Sequence, residues 1–142
     1  MKIGFTGTRE GMSIGQRKAV KMLLNKLETL YDITELHHGD CVGADTDMHD
    51  IMVSSGRDVK IKIHPPLNDT QRAYCKGDAY FKKKEFLERD RYIVEKSNVM
   101  IATPSSKTEI KRGSGTWYTI RYAKKQKVKL YIVYPSGEIE EF

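Results

Sequence analysis

Apolar residues recur along the chain in two alternating rhythms. Lys2-Ile3-Gly4-Phe5 reads as a short buried strand, and Ser13 with Gln16 three residues on is a capping box. The helix it opens carries Val20, Leu23, Leu24, Leu27, Leu30 and Tyr31 on one face. Ile33 to His38 reads as a second strand. The glycine-bearing turn 39–45 leads into a helix with Ala44, Met48, Ile51 and Met52 inward, ended by Ser55-Gly56. Val59 to Ile63 alternates as a third strand until Pro65-Pro66 stops it. Residues 65–84 are the least regular and fit either a lid or a long loop. A third helix runs from about Glu85 through Ile93 and Val94 to Ser97, and Asn98 to Thr103 is a fourth strand. After a polar loop over 104–115, a fourth helix (Thr116 to Gln126) and a fifth strand (Lys129 to Tyr134) complete the pattern.

Strands alternating with helices imply βαβ units and a parallel sheet covered on both faces. The expectation is a single α/β domain over residues 1–142, with a Rossmann-like, doubly wound, parallel five-stranded sheet in the order 3-2-1-4-5. That order reverses between the first and fourth strands. Ligands of such sheets bind there, beyond the strands' carboxyl ends. The topology nominates three loops: 6–12, 39–45 and 104–115.

With 142 residues the chain suits one core. Cys41 and Cys75 are spaced neither as a disulfide framework nor as a zinc pattern, and no metal or cofactor is expected. No run approaches the roughly 18 apolar residues of a membrane span. The N-terminal residues carry no leader pattern, so an intracellular location in a reducing compartment is expected. The net charge is +6, but Lys107–Lys129 alone holds eight bases against Glu109, a net +7. The positive excess is therefore confined to one stretch, either an anion-attracting patch or a solvated helix face.

The candidate chemistry lies in the nominated loops. Gly4-Phe5-Thr6-Gly7-Thr8-Arg9 sets glycine, two hydroxyls and a guanidinium just past a strand, a phosphate-approaching loop or an ordinary turn. Arg112-Gly113-Ser114-Gly115-Thr116 stands at a helix start, where free N–H groups and the helix dipole favour phosphate. Gly39, Gly43 and Ala44 could present further amides, and Asp40 or Asp45 could accept from ribose hydroxyls, although Asp45 also fits an N-cap. His37 and His38 point to opposite faces of their strand. His64, before Pro65, borders a strand end and is either a ligand neighbour or a structural histidine. Arg89 and Arg91 diverge by about 200° on a helix, so one at most faces the crevice. Trp117 fits stacking on a base or packing under the loop.

These motifs, in this order, resemble the SLOG superfamily, which unites the DNA-processing DprA/Smf proteins with the LOG cytokinin-activating enzymes. The likeness is greatest to its small standalone YspA/YpsA-like members of bacteria and phages. It is carried by Gly4–Arg9, His38–Asp45, His64-Pro65-Pro66, Arg89–Val94 leading into Val99–Ala102, Arg112–Trp117 and Arg121-Tyr122-Ala123. The resemblance implies a Rossmann-like fold and a pocket for nucleotides or ADP-ribose-like molecules. It implies a cytoplasmic protein, bacterial or in the host of a phage, that forms a dimer or larger homo-oligomer. LOG enzymes hydrolyse the N-glycosidic bond of nucleoside 5′-monophosphates through a P-G-G-x-G-T-x-x-E motif. Aligning Gly115-Thr116 with its Gly-Thr puts Thr119 at the glutamate and Lys111-Arg112 at the Pro-Gly. A hydroxyl cannot replace a carboxylate as general acid or base.

The reading with most support is a nucleotide or ADP-ribose-like ligand held for sensing or sequestration. In it, amides around Gly7-Thr8 and Gly113–Thr116 hold phosphate, Arg9 and Arg112 neutralise it, and His64 with Pro65 walls the base or a second ribose. Arg89 and Pro104 complete the expected lining. An alternative is an N-glycosidic hydrolase or transferase with Asp45 as its carboxylate. A third is single-stranded nucleic acid binding through the basic stretch, disfavoured because that stretch coincides with the phosphate loop.

Overall fold

The computed structural model describes residues 1–142. Seven strands and four helices follow in the order β1 (Lys2–Gly7), α1 (Ile14–Leu30), β2 (Glu35–His38), α2 (Ala44–Ser54), β3 (Lys60–Ile63), β4 (Ala79–Tyr80), α3 (Phe86–Lys96), β5 (Val99–Thr103), α4 (Gly115–Lys125), β6 (Lys129–Val133) and β7 (Ile139–Glu141). The sheet order is β4-β3-β2-β1-β5-β6-β7, parallel except for β6 against β7. The five strands expected from the sequence occupy the centre in the expected order.

The sheet is two strands wider than expected because β4 and β7 are too short and too polar to show alternation. Backbone bonds hold them instead. Asp78 N–H and Phe81 N–H donate to Ile61 and Ile63 carbonyls at 2.8 and 2.9 Å, and Leu130 exchanges two bonds with Phe142.

Each face of the sheet has its own core. Ile3, Phe5, Leu36, Ile61, Ile63 and Ile101 pack under α1 and α2, while Met100, Ala102, Leu130 and Ile132 pack under α3 and α4. Alternate residues of β5 thus serve opposite layers. The capping box at α1 forms as read, with Ser13 Oγ accepting from Gln16 N–H and Gln16 Oε1 from Ser13 N–H. Buried Gln16 also ties α1 to the sheet's carboxyl edge, its Nε2 donating to the carbonyls of Pro104 and Val133.

One register difference opens the functional edge. β1 pairs with β2 only as far as Gly4, but with β5 as far as Gly7. Past Gly4 the chain leaves β2, and a crevice forms at the switch point. Residues 65–84 form a strap outside β3. It is anchored at Asp40, whose carbonyl accepts from Ala73 N–H at 2.7 Å and whose carboxylate accepts from Cys75 N–H at 2.8 Å.

Candidate functional site

A cleft of about 440 Å³ lies over the ends of β1, β2 and β5. Thr6–Glu10 form one wall, and Ser105, Ile110 and Gly113–Thr116 line another. Gly39, Cys41 and Asp45 come from the β2–α2 turn, and Phe86, Leu87, Arg89, Asp90 and Ile93 from α3.

The wall after β1 is set by close backbone approach. A Cβ at Gly7 would overlap the Thr103 hydroxyl and the Ala44 methyl, so only glycine lets β1, β5 and α2 converge. Thr8 N–H donates to Thr103 O at 3.1 Å, and Thr8 O accepts from Ala44 N–H at 2.9 Å. Gly43, at φ +100, packs against the Arg9 carbonyl, where a side chain would collide. Gly43 and Ala44 therefore shape the loop from behind rather than line the cleft. Arg9 is exposed, with its guanidinium 4.7 Å above the Phe86 ring and no carboxylate partner.

At the opposite wall Ser114 caps α4, its Oγ accepting from Trp117 N–H at 3.2 Å. Gly115 and Thr116 line the cleft, and their N–H groups, in the first turn, have no intrahelical acceptor. Arg9 and this helix start thus bring a free cation and free donors to one space.

The floor is ionic and already satisfied. Buried Arg89 donates from Nη1 to Gly39 O at 2.9 Å and Cys41 Sγ at 3.3 Å, and from Nη2 to Asp90 Oδ1 at 3.1 Å. Arg91 faces away, toward the Tyr118 hydroxyl. Burial raises Asp90 above the ordinary carboxylate range, with Arg89 opposing it. Asp45 accepts from Cys41 N–H through Oδ2 at 3.1 Å, and its Oδ1 makes no protein hydrogen bond. Burial pushes Asp45 up to about 7 against the pull of Arg89. Burial also raises the Cys41 thiol.

The structure gathers Gly7, Thr8, Arg9, Gly39, Asp45, Arg89 and Gly113–Thr116 of the expected site into this cleft. It places the rest elsewhere. Asp40 is wholly buried at φ +57, with Arg72 Nε at 2.9 Å and Cys75 N–H occupying its two oxygens. That leaves it no free acceptor for a ribose. His64 and Pro65 are buried outside the cleft, His64 stacked on Phe81 at 4.3 Å and bonded to His37 at 2.7 Å. Pro104 is buried and bonded to Gln16, and exposed Arg112 projects outside the lining. Asp90 is the residue that sequence reasoning missed: Arg89-Asp90-Arg91 reads as a charged surface helix unless the pair is known to lie under α4.

All four histidines are buried, as two pairs on opposite faces of β2. His38 Nε2 meets His49 Nδ1 at 3.0 Å, and the donor atoms of His38, His49 and Cys75 lie within 4.8 Å of one another. His38 Nδ1 accepts from Asp40 N–H at 3.0 Å, so the ring proton sits on Nε2 and is donated to His49. A metal-bound histidine instead donates from its outer nitrogen. The cluster fits a hydrogen-bonded pair better than a metal centre.

Fold and cleft define an open-sheet, Rossmann-like α/β protein whose accessible site is its switch point. No protein-family model matches the chain, and no curated protein matches it. Among solved structures it is similar to the molybdenum cofactor binding protein of the phototrophic bacterium Rippkaea orientalis, with a TM-score of 0.68 and 20% identity. The match covers 94% of this chain and 76% of the other. At that identity the likeness is one of fold. No helix is long and apolar enough to cross a membrane.

Proposed function

We propose that the switch-point cleft binds a phosphate-bearing nucleotide or ADP-ribose-like ligand, for sensing or sequestration. The observation that carries this reading is the unpaired Arg9 guanidinium sharing one cleft with the open N–H groups of Gly115 and Thr116. A free cation and a helix start together favour a phosphate, and charge-assisted bonds to it are the strong kind. Arg9 and the α4 start would hold phosphate, while Asp45 Oδ1 would accept from a ribose hydroxyl. The resemblance to SLOG proteins supports the same ligand class. Fold likeness to a cofactor-binding protein agrees with a small-molecule ligand, and about 440 Å³ suits one. The basic stretch gives less support to nucleic acid, since Lys107, Arg121 and Lys129 pair with Glu138, Glu109 and Glu141.

Asp45 favours a second reading, cleavage or transfer at an N-glycosidic bond. A cleft-facing carboxyl held near neutrality is suited to general acid work, whereas Thr119 spends its hydroxyl on Gly115 O at 2.7 Å. Mass spectrometry separates the two readings. The protein is mixed with nucleoside monophosphates, NAD, ADP-ribose and cyclic ADP-ribose isomers, then sprayed native and denatured. Retention of one of these at unchanged mass is expected. A released base with a ribose phosphate would establish turnover instead, and retention of none would contradict ligand binding.

A further inference from the structure

Two large aliphatic side chains stay exposed in the cleft, beside the half-buried Phe86 ring that carries Arg9. Leu87 is 45% exposed and Ile110 37%, whereas Phe5, Cys41 and Ile93 belong to the interior.

Leu87 lies in the first turn of α3, about a quarter turn from the buried stripe of Arg89, Asp90, Ile93 and Val94, whose line Phe86 continues. The stripe thus reaches the cleft at Phe86, and Leu87 flanks it on the exposed side. Ile110 is the one apolar residue in the stretch Ser105–Ser114. Its backbone is fixed by a single side chain. Arg121 of α4 pairs with Glu109 at 3.0 Å and donates to the carbonyls of Ile110 at 3.2 Å and Lys111 at 3.4 Å. An anchor on both sides of Ile110 pins this residue within a loop that is otherwise polar.

We infer that Leu87 and Ile110 grip the flat apolar face of a nucleobase, so that the cleft selects base-bearing phosphates over bare sugar phosphates. This rests on the phosphate reading of the same cleft. Exposed aliphatic groups next to a phosphate-holding wall suit a ligand that is anionic at one end and flat and apolar at the other. Beside them, Phe86 carries the Arg9 guanidinium 4.7 Å above its ring, and a planar guanidinium is itself a surface on which bases stack.

Calorimetric titration with AMP and with ribose 5-phosphate tests this, on the wild-type protein and on Leu87→Ser and Ile110→Ser. Both substitutions remove exposed side chains, so folding is retained, and circular dichroism checks it. Apolar surface of the base shed from water against Leu87 and Ile110 should make AMP bind the wild type at least about fivefold tighter than ribose 5-phosphate. Each substitution should weaken AMP about three- to tenfold and leave ribose 5-phosphate within about twofold. Equal affinities for the two ligands, unmoved by either substitution, would overturn the base grip while leaving the phosphate site standing. Failure of both ligands to bind would overturn the phosphate reading, and the grip with it.

Discussion

Asp90 accepts from the guanidinium of Arg89, its own neighbour on α3, at 3.1 Å from Nη2 and 3.3 Å from Nε, with both residues 6% exposed. Adjacent helical residues normally diverge, and this pair converges because α4 closes over it. Asp90 Oδ2 lies close under the backbone of Gly115. The ion pair is thus the floor on which the start of α4, the proposed phosphate wall, rests. Removing one partner of a buried pair leaves the other uncompensated, at a cost of about 3–5 kcal/mol. Asp90→Ala should lose about that much in chemical denaturation, whereas Glu109→Ala, at an exposed pair, should lose under about 1 kcal/mol.

Acidification should destabilise the protein below neutrality. Burial pushes His38 and His64 down to about 3 and lowers His37 and His49 as well. The folded state excludes protons that the unfolded chain binds below about 6.5, so this contribution is whole above that pH and is lost as pH falls. Asp45 works in the opposite sense. Its raised value gives stability below the unfolded value near 3.8, lost as pH rises through about 7. Asp90, also raised by burial, acts in the same sense as Asp45, but four histidines outweigh two carboxyls, so the urea midpoint should drop from pH 7 to pH 5. In Asp45→Asn the drop should be steeper, because one of the two opposing groups is gone. A midpoint flat across that range would contradict the histidine pairing.

Gly43 holds φ +100 with its hydrogen facing the Arg9 carbonyl. Gly43→Ala imposes both left-handed strain and a collision, of order 1–3 kcal/mol. The substitution should lower thermal stability and, because the obstacle is Arg9's own backbone, weaken AMP binding in parallel. Lost stability with undisturbed binding would show that the loop repacks without moving Arg9.

Arg121 is the anchor of the Ile110 loop and touches no cleft space itself. Arg121→Ala should weaken AMP about threefold or more while leaving ribose 5-phosphate within about twofold, an effect of positioning rather than contact. Arg121→Lys should not rescue it, since an ammonium cannot span a carboxylate and two carbonyls with a planar fork.

The layout of the fold was legible because each central strand is a compact apolar run and each helix carries a stripe. β4 and β7 were not, since two or three edge residues such as Ala79-Tyr80 or Ile139-Glu140-Glu141 have no period to read. The two cleft walls proposed to face phosphate were legible for a related reason: glycine, hydroxyl and arginine cluster where a strand ends or a helix begins. The partners of buried polar groups were not. Asp40 looks as available as Asp45 until the strap delivers Arg72 to it from 32 residues away. His64 likewise gains Phe81 and His37 only through tertiary packing. Sequence reveals which residues can serve, and the long-range pairs decide which remain free.

Calorimetric titration of ADP-ribose into the wild type and Arg9→Ala asks whether Arg9 and the start of α4 hold a phosphate. Arg9 has no ion pair in the fold, so its loss should leave the unfolding midpoint nearly unchanged. A charge-assisted bond is worth about 1.5–3 kcal/mol, which predicts affinity weakened about ten- to a hundredfold, with the difference shrinking as salt rises. Equal affinity in the two proteins would show that Arg9 holds no phosphate.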